Sequence, residues 1–383
     1  MGNVPKYAEF ILRTLENAGF QAVLVGGCVR DSLLGRRPGD WDIATAATPA
    51  QVTALFPHTV PTGVAHGTVT VLHGGGSCEV TTFRADGDYA DGRHPESVRF
   101  TGRLASDLMR RDFTVNAMAM DRAGHVTDLH GGREDLARRL IRCVGDPAQR
   151  FGEDALRMLR AYRFSAQLGF ALQEETRAAA LRCAPMCAAL SAERVRDELK
   201  KTLLSPRPEL IGRMLADGLL AGRVAHSGEL PGLERLASLP GYARPAHLCA
   251  AMETAGFITS GEDFLTGLRF DRTTVLTAAR GSYIIRCDSR DLKRLLRDWG
   301  LDAVKAAYPR SAALRRVLQS GECYTLSRLA VSGDDLYALG YRGREIGDAL
   351  ARALEHVIDH PGDNQKEILL KLTSGEDTHE SLG

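Results

Sequence analysis

The sequence predicts an α+β protein: a mixed β-sheet with its helices in the first third, followed by an all-helical remainder. Three observations carry this. Short β-rich segments punctuated by glycine lie between residues 21 and 100, segments with helical spacing take over from Asp146, and the composition is that of a folded globular chain.

Residues 7–18 carry apolar side chains at helical spacing. The apolar run 21–25 reads as a strand, and Gly26-Gly27 as the turn from it into a short helix. Residues 68–72, 78–83 and 98–100 are β-rich and separated by glycine, which predicts an antiparallel sheet joined by turns. Beyond Asp146 the helical segments are bounded by Pro147, Pro185, Pro206, Pro208, Pro240 and Pro245, because proline breaks a helix interior. The predicted organisation is a catalytic head over 1–138, a helical segment over 139–206, a second over 207–268 and a last over 269–383. The polar final ten residues read as frayed.

Of the 383 residues, 44% are hydrophobic and 25% charged, and this length suggests two or three domains. No apolar stretch is long enough to span a bilayer and the start lacks a signal-peptide layout, so the sequence predicts no membrane partner and a cytoplasmic protein. The eight cysteines include no Cys-x-x-Cys pair. They read as reduced thiols, and Cys183 and Cys187, one helical turn apart, as packing residues. A net charge of +1 predicts no global attraction to nucleic acid, so any RNA contact must come from local clustering. Only seven of the 49 basic residues are lysine. The arginine excess suits phosphate and base edges, or reflects genomic base composition.

The chemistry begins at Gly26-Gly27-Cys28-Val29-Arg30-Asp31, where backbone N–H groups between a strand and a helix can approach a phosphate and Arg30 adds a fork of donors. Taken alone, a glycine pair there is ordinary turn chemistry. Gly39-Asp40-Trp41-Asp42 adds two carboxylates at i and i+2, which on a strand share one face. Adjacent anions repel, so the pair is stable with a cation between them, and Mg²⁺ with phosphate oxygens fits; the alternative is a solvated Asp-rich turn. Such a site supports attack of a hydroxyl on an α-phosphate with loss of pyrophosphate, the reaction of a nucleotidyltransferase. A dinucleotide-binding dehydrogenase would need a third glycine where Arg30 stands.

The stretch from Gly26 to Gly35 with Asp40-Trp41-Asp42 closely resembles the first motif of class II CCA-adding enzymes and their bacterial poly(A) polymerase relatives. The resemblance implies a polymerase-β-like head followed by an all-α neck, body and tail. It also implies that Asp40 and Asp42 hold the metals as the catalytic residues, and that Gly27 and Arg30 touch the triphosphate. Glu79 is the candidate for a third metal carboxylate. Residues 110–119, Arg-Arg-Asp-Phe-Thr-Val-Asn-Ala-Met-Ala, look like the family's second motif, which distinguishes ribose from deoxyribose. Arg111 can hold a phosphate and Asp112 can accept from a 2′-hydroxyl. Arg110 reads as a solvated charge, and Asp112 and Asn116, four apart, can alternatively brace a helix.

Residues 152–164 read as one helix with Leu156, Leu159 and Phe164 toward a core. Asp154 and Arg157 stand at i and i+3, with Arg160 and Arg163 continuing the row; surface Asp–Arg bracing along the helix dipole is the alternative. Cytosine and adenine each present an amino donor beside a ring-nitrogen acceptor, whereas guanine and uracil present a carbonyl at the amino position. A carboxylate beside a guanidinium complements the first two, and protein then stands in for a template. The stretch is similar to the family's Glu-Asp-x-x-Arg motif, which implies base-edge roles for Asp154 and Arg157 and nucleotide contacts for Arg160 and Arg163. Residues 191–199 resemble the next motif, a bracing helix with Ser191 as its N-cap.

Residues 84–95, with Gly87 and Gly92, look like the family's mobile loop, whose completeness speaks for full CCA addition. His356 and His360 read as surface residues, and there is no sign of an appended phosphohydrolase domain. The resemblance implies tRNA, held through its acceptor and T arms, with CTP and ATP as partners, and allows a homodimer. The rival readings are a poly(A) polymerase, an enzyme limited to CC or A addition, and an RNA-binding relative without activity. A long basic extension would favour the first, but the sequence finishes on acidic Gly375-Glu376-Asp377.

Overall fold

Ala22–Val25 is apolar and buried throughout, the signature of a strand covered on both faces. It is β1, near the centre of a seven-stranded sheet. The strands in chain order are β1, β2 (Asp42–Thr45), β3 (Thr59–Gly63), β4 (Thr68–His73), β5 (Gly76–Thr82), β6 (Arg84–Asp86), β7 (Val98–Phe100), β8 (Met118–Met120), β9 (Val126–Asp128), β10 (Leu140–Ile141) and β11 (Ala171–Leu172). The large sheet runs β3-β4-β5-β2-β1-β8-β9. The computed structural model describes residues 4–86 and 98–374.

The sheet is mixed, as the fold class predicts: β4 and β5 pair antiparallel as their glycine-punctuated segments suggest, whereas β2 and β5 are parallel, Asp42 opposite Glu79. Their other large-sheet neighbours run antiparallel. The glycine-punctuated pattern marks where strands start and stop, whereas the order in which they pair is set by contacts distant in sequence. Likewise β7 does not join the large sheet but pairs with β6 in a separate hairpin.

In the first of two compact units, Met1–Ala237, the sheet is joined by α1 (Lys6–Asn17), α2 (Gly27–Leu33), α3 (Pro49–Leu55), α4 (Leu104–Met109) and α5 (Gly132–Arg138). The buried positions of α1, Ala8, Ile11, Leu12 and Leu15, recur at three and four residues and pack it by one face. Then come α6 (Pro147–Glu153), α7 (Leu156–Leu168), α8 (Glu174–Cys183), α9 (Ala192–Leu203) and α10 (Leu210–Ala216). Leu156, Leu159 and Phe164 are buried as the spacing predicts. Tyr162 is fully buried and donates to Asp217, which also takes two bonds from Arg177, so the polar tip inside this helical core is satisfied.

The second unit, Ser238–Gly383, is helical in its described part: α11 (Arg244–Thr254), α12 (Gly261–Gly267), α13 (Arg272–Cys287), α14 (Leu292–Trp299), α15 (Leu301–Ala307), α16 (Ala312–Ser320), α17 (Gly333–Ala338), α18 (Arg344–Asp359) and α19 (Lys366–Ser374). Asp271, Asp291, Ser311 and Ser332 cap helices with their side chains, each satisfying an otherwise orphaned N–H. All eight cysteines are free. Among the described residues no helix is long and apolar enough to cross a membrane.

Candidate active site

β1 ends at Val25 and the chain turns through Gly26, whose φ of +74° lies in the left-handed region. A side chain there would be strained, and its Cβ would stand 3.2 Å from Nη1 of Arg111. The turn delivers Gly27 and then Arg30 on α2. Asp42, at the start of β2, pairs in register with Val25 on one side and Glu79 on the other. Parallel neighbours in register present side chains to one face, so Asp42 and Glu79 stand together. Asp40 lies in a bend ahead of the strand, not on it. The i, i+2 reading assumed extended backbone through both aspartates, but sheet pairing starts only at Asp42. Trp41, between them, is 5% exposed.

The electrostatics of this group are unbalanced. Burial, reinforced by Asp40 and Glu79, pushes the Asp42 carboxyl from its ordinary 3.8 up to about 6, with Arg111 pulling the other way. Neither Asp40, Asp42 nor Glu79 makes an ion pair among the described residues. Three converging carboxylates, one held reluctant to ionise by the others, are the donor set of a hard divalent cation.

Across the cavity, charge is arranged differently. The predicted single helix over 152–164 is two helices, α6 and α7, with Asp154 at the break in extended backbone (φ −152°, ψ 106°). Its Oδ1 accepts from the Leu156 N–H at 3.0 Å, and Oδ2 accepts from Arg194 at 2.7 Å. Aspartate competes for backbone N–H groups and favours helix starts over interiors, which is why the continuous pattern fails there. The Asp154 carboxylate is thus engaged by Leu156 and Arg194, while its carbonyl accepts from the Arg157 N–H at 3.0 Å. Arg157 is buried and donates to Glu153 at 2.5 Å, to the Arg150 carbonyl at 3.3 Å and to the Arg110 carbonyl at 3.2 Å.

Arg160 donates twice to Asp112, at 2.8 and 2.5 Å. Burial alone would raise the Asp112 carboxyl, but Arg160 outweighs it and holds the group below its ordinary value. Asn116 closes a chain, donating to Asp112 at 3.4 Å and accepting from Arg30 at 2.7 Å, while Arg30 also grips Asp31. Arg163 pairs with buried Glu198 and donates to Gln167 at 2.8 Å. The Phe164 ring lies within 5.5 Å of the guanidinium carbons of Arg30, Arg160 and Arg163, close enough for cation–π attraction.

Arg110 is not solvated as expected. It bonds Asp107 at 2.7 Å, and Arg111 bonds the other oxygen at 2.9 Å. Asp107 is fully buried, a cost that these two arginines more than offset, holding its carboxyl below the ordinary range. A charge that deep attracts its partners inward. Arg111 Nε is buried with no hydrogen-bond partner among the described residues.

The two sides enclose one cavity of about 770 Å³. It brings together every predicted site residue: Gly27, Arg30, Asp40, Asp42, Arg111, Asp112, Asp154, Arg157, Arg160 and Arg163, with Glu79. Arg194 and Lys201 on α9 line it too. They are seven residues apart, two helical turns on one face, a signal that the bracing reading of 191–199 passed over. Ser191 is at the N-cap of α9 but its side chain makes no capping bond. Of residues 84–95, 84–86 form β6 and the rest of the proposed mobile loop lies outside the described residues.

Comparisons with known proteins match residues 22–142 to the poly A polymerase head domain, and residues 169–222 to a probable RNA and SrmB-binding site of polymerase A. The CCA-adding enzyme of Geobacillus kaustophilus (strain HTA426) is 39% identical to the chain over 97% of both. That of Geobacillus stearothermophilus is 39% identical over 93% of both. Among solved structures, the Bacillus stearothermophilus CCA-adding enzyme in complex with CTP matches with a TM-score of 0.81 at 36% identity, covering 98% of each chain. The Thermotoga maritima CCA-adding enzyme complexed with tRNA shares the fold, with a TM-score of 0.65 at 19% identity.

Proposed function

The chain belongs to the family of CCA-adding enzymes, and we propose that it adds the 3′-terminal CCA to tRNA from CTP and ATP, without a nucleic-acid template and with release of pyrophosphate. The observation that carries this is the convergence on one cavity of three unpaired carboxylates and a wall of ordered arginines drawn from separate stretches of the sequence.

In this reading Asp40 and Asp42, aided by Glu79, hold Mg²⁺. An ion held by these carboxylates would supply activation of the attacking hydroxyl and charge stabilisation for the leaving pyrophosphate. The raised Asp42 carboxyl supports it, since a group kept from ionising by burial and then by the neighbouring anions gains from a cation. Gly27, Arg30 and Arg111 take the triphosphate; the orphaned Arg111 Nε is a donor awaiting an acceptor. Asp112 orients the ribose, and Asp154 and Arg157 read the base edge. Their present partners, Arg194 and Glu153, hold both groups in fixed positions, which favours recognition by a preformed site. Arg160 and Arg163 complete the nucleotide contacts. The chemistry belongs to the head, 1–138, and base reading to the neck, 139–206. The helical body, 207–268, and tail, 269–383, take the acceptor and T arms by shape and backbone.

Purified protein with Mg²⁺ is offered a tRNA lacking its CCA, with CTP, ATP or both, and product lengths are measured. Two C and one A followed by arrest is the expected result. A long A tail identifies a poly(A) polymerase, arrest after CC a partial enzyme, and no extension overturns the catalytic reading.

A further inference from the structure

We propose that His356, His360 and Asp363 form a second metal site, for a zinc-class transition-metal ion, at the C-terminal end of α18. The two histidines are one helical turn apart, and their rings stack with centroids 4.5 Å apart and planes inclined by 20°. After the single 3₁₀ turn Pro361–Asp363, the Asp363 carboxylate accepts a hydrogen bond from His356 Nε2 at 2.8 Å, a proton that a metal ion bound there would displace. One ligand atom from each of the three lies within 4.8 Å of the other two. Tetrahedral ligands at about 2.0–2.1 Å from zinc stand about 3.3 Å apart, so a side-chain adjustment of the exposed His360 closes the remaining gap.

Two features beyond proximity prepare the site. His360 Nδ1 lies 3.2 Å from the His356 carbonyl. Because a carbonyl can only accept, Nδ1 carries the proton and Nε2 keeps its lone pair for a metal, the outer-shell arrangement found around ligating histidines. The group also sits at the negative end of the α18 dipole, which favours a cation.

The charges nearby are already engaged. Asp359 is held by Arg294 at 2.8 Å, and Lys293 bonds the Ile358 carbonyl at 2.9 Å and pairs with Glu322. Two neutral imidazoles and a carboxylate suit zinc, cobalt or nickel better than magnesium, and three protein ligands leave a fourth position for water.

The test is titration of the full chain with Zn²⁺ against a chromophoric chelator in Mg²⁺-containing buffer. It is run in an Asp40→Ala/Asp42→Ala background so that the other carboxylate cluster does not compete. One equivalent is expected to bind, with His356→Ala and His360→Gln each weakening it at least about tenfold. Co²⁺ in place of Zn²⁺ should give a visible tetrahedral absorption band that the same variants abolish. His360 is exposed, and unchanged circular dichroism of His360→Gln controls for folding. No bound equivalent, or undiminished affinity in His360→Gln, overturns the site.

Discussion

Two sides of one cavity treat charge in opposite ways. On the sheet side, Asp40, Asp42 and Glu79 meet with no ion pair among the described residues, and burial with the neighbouring anions holds Asp42 back from ionising. On the helix side, Asp154, Arg157, Arg160 and Arg163 are each tied into an ion pair with Arg194, Glu153, Asp112 or Glu198. The sheet side is thus incomplete by itself and is finished by whatever cation arrives. The helix side is finished already, and its value lies in holding donors and acceptors still. In the proposed reading, reactivity depends on a bound ion at the sheet side and selectivity is built into the helix side.

The largest effect expected from this contrast is on turnover. Asp42→Ala should lower single-turnover CMP incorporation by about 10³-fold or more, a barrier increase of about 4 kcal/mol, while tRNA affinity in a filter-binding assay stays within a fewfold. An equal loss in both would place Asp42 in the scaffold instead. Next is Glu198→Ala, which strands Arg163, 8% exposed, in the core. Denaturant unfolding should show a loss of about 3–5 kcal/mol; a cost below 1 kcal/mol would mean that the helix side is not rigidly tied. Arg157→Ala should relax the choice of C and A over G and U by about 1–3 kcal/mol, roughly five- to 150-fold in competing incorporation. Unchanged discrimination would remove Arg157 from base reading.

The smallest expected effect is on stability against pH. Without divalent metal, the folded chain binds the Asp42 proton more tightly than the unfolded chain, because its carboxyl titrates near 6 instead of 3.8. Between those values the folded state carries more protons, so stability falls as pH rises through the window. Asp42→Asn should flatten that fall in the urea midpoint, and added Mg²⁺ at pH 7 should counter it in the wild type alone. A slope identical in both proteins would assign the effect to other groups.

Much of the site was legible in the sequence because its chemistry sits in short local patterns. Gly26-Gly27, the Asp40/Asp42 spacing and the arginine row after Asp154 each point to a ligand, and the cavity joins them. What escaped depends on partners distant along the chain. The parallel pairing of β2 with β5, which sets Glu79 beside Asp42, spans residues 37 apart in sequence. Arg110 reads as solvated until Asp107 is seen to be buried beneath it. The break at Asp154 was within reach, since aspartate next to Gly152-Glu153 is a better helix start than a helix interior. β8 went unrecognised because Met118-Ala119-Met120 is too short to show a period and is a strand by virtue of β1 and β9 on either side.

Trp41 gives the sheet side an optical voice. The chain has two tryptophans; this one is buried and stands between Asp40 and Asp42 in the sequence, while Trp299 belongs to the other compact unit, beside Tyr283. Indole emission responds to charge around the ring, so neutralising the neighbouring carboxylates by a divalent ion should change its intensity or colour. Trp299→Phe leaves Trp41 as the sole indole, and that variant thereby carries a built-in gauge of ion occupancy, readable in a cuvette without a label and before any nucleotide is added.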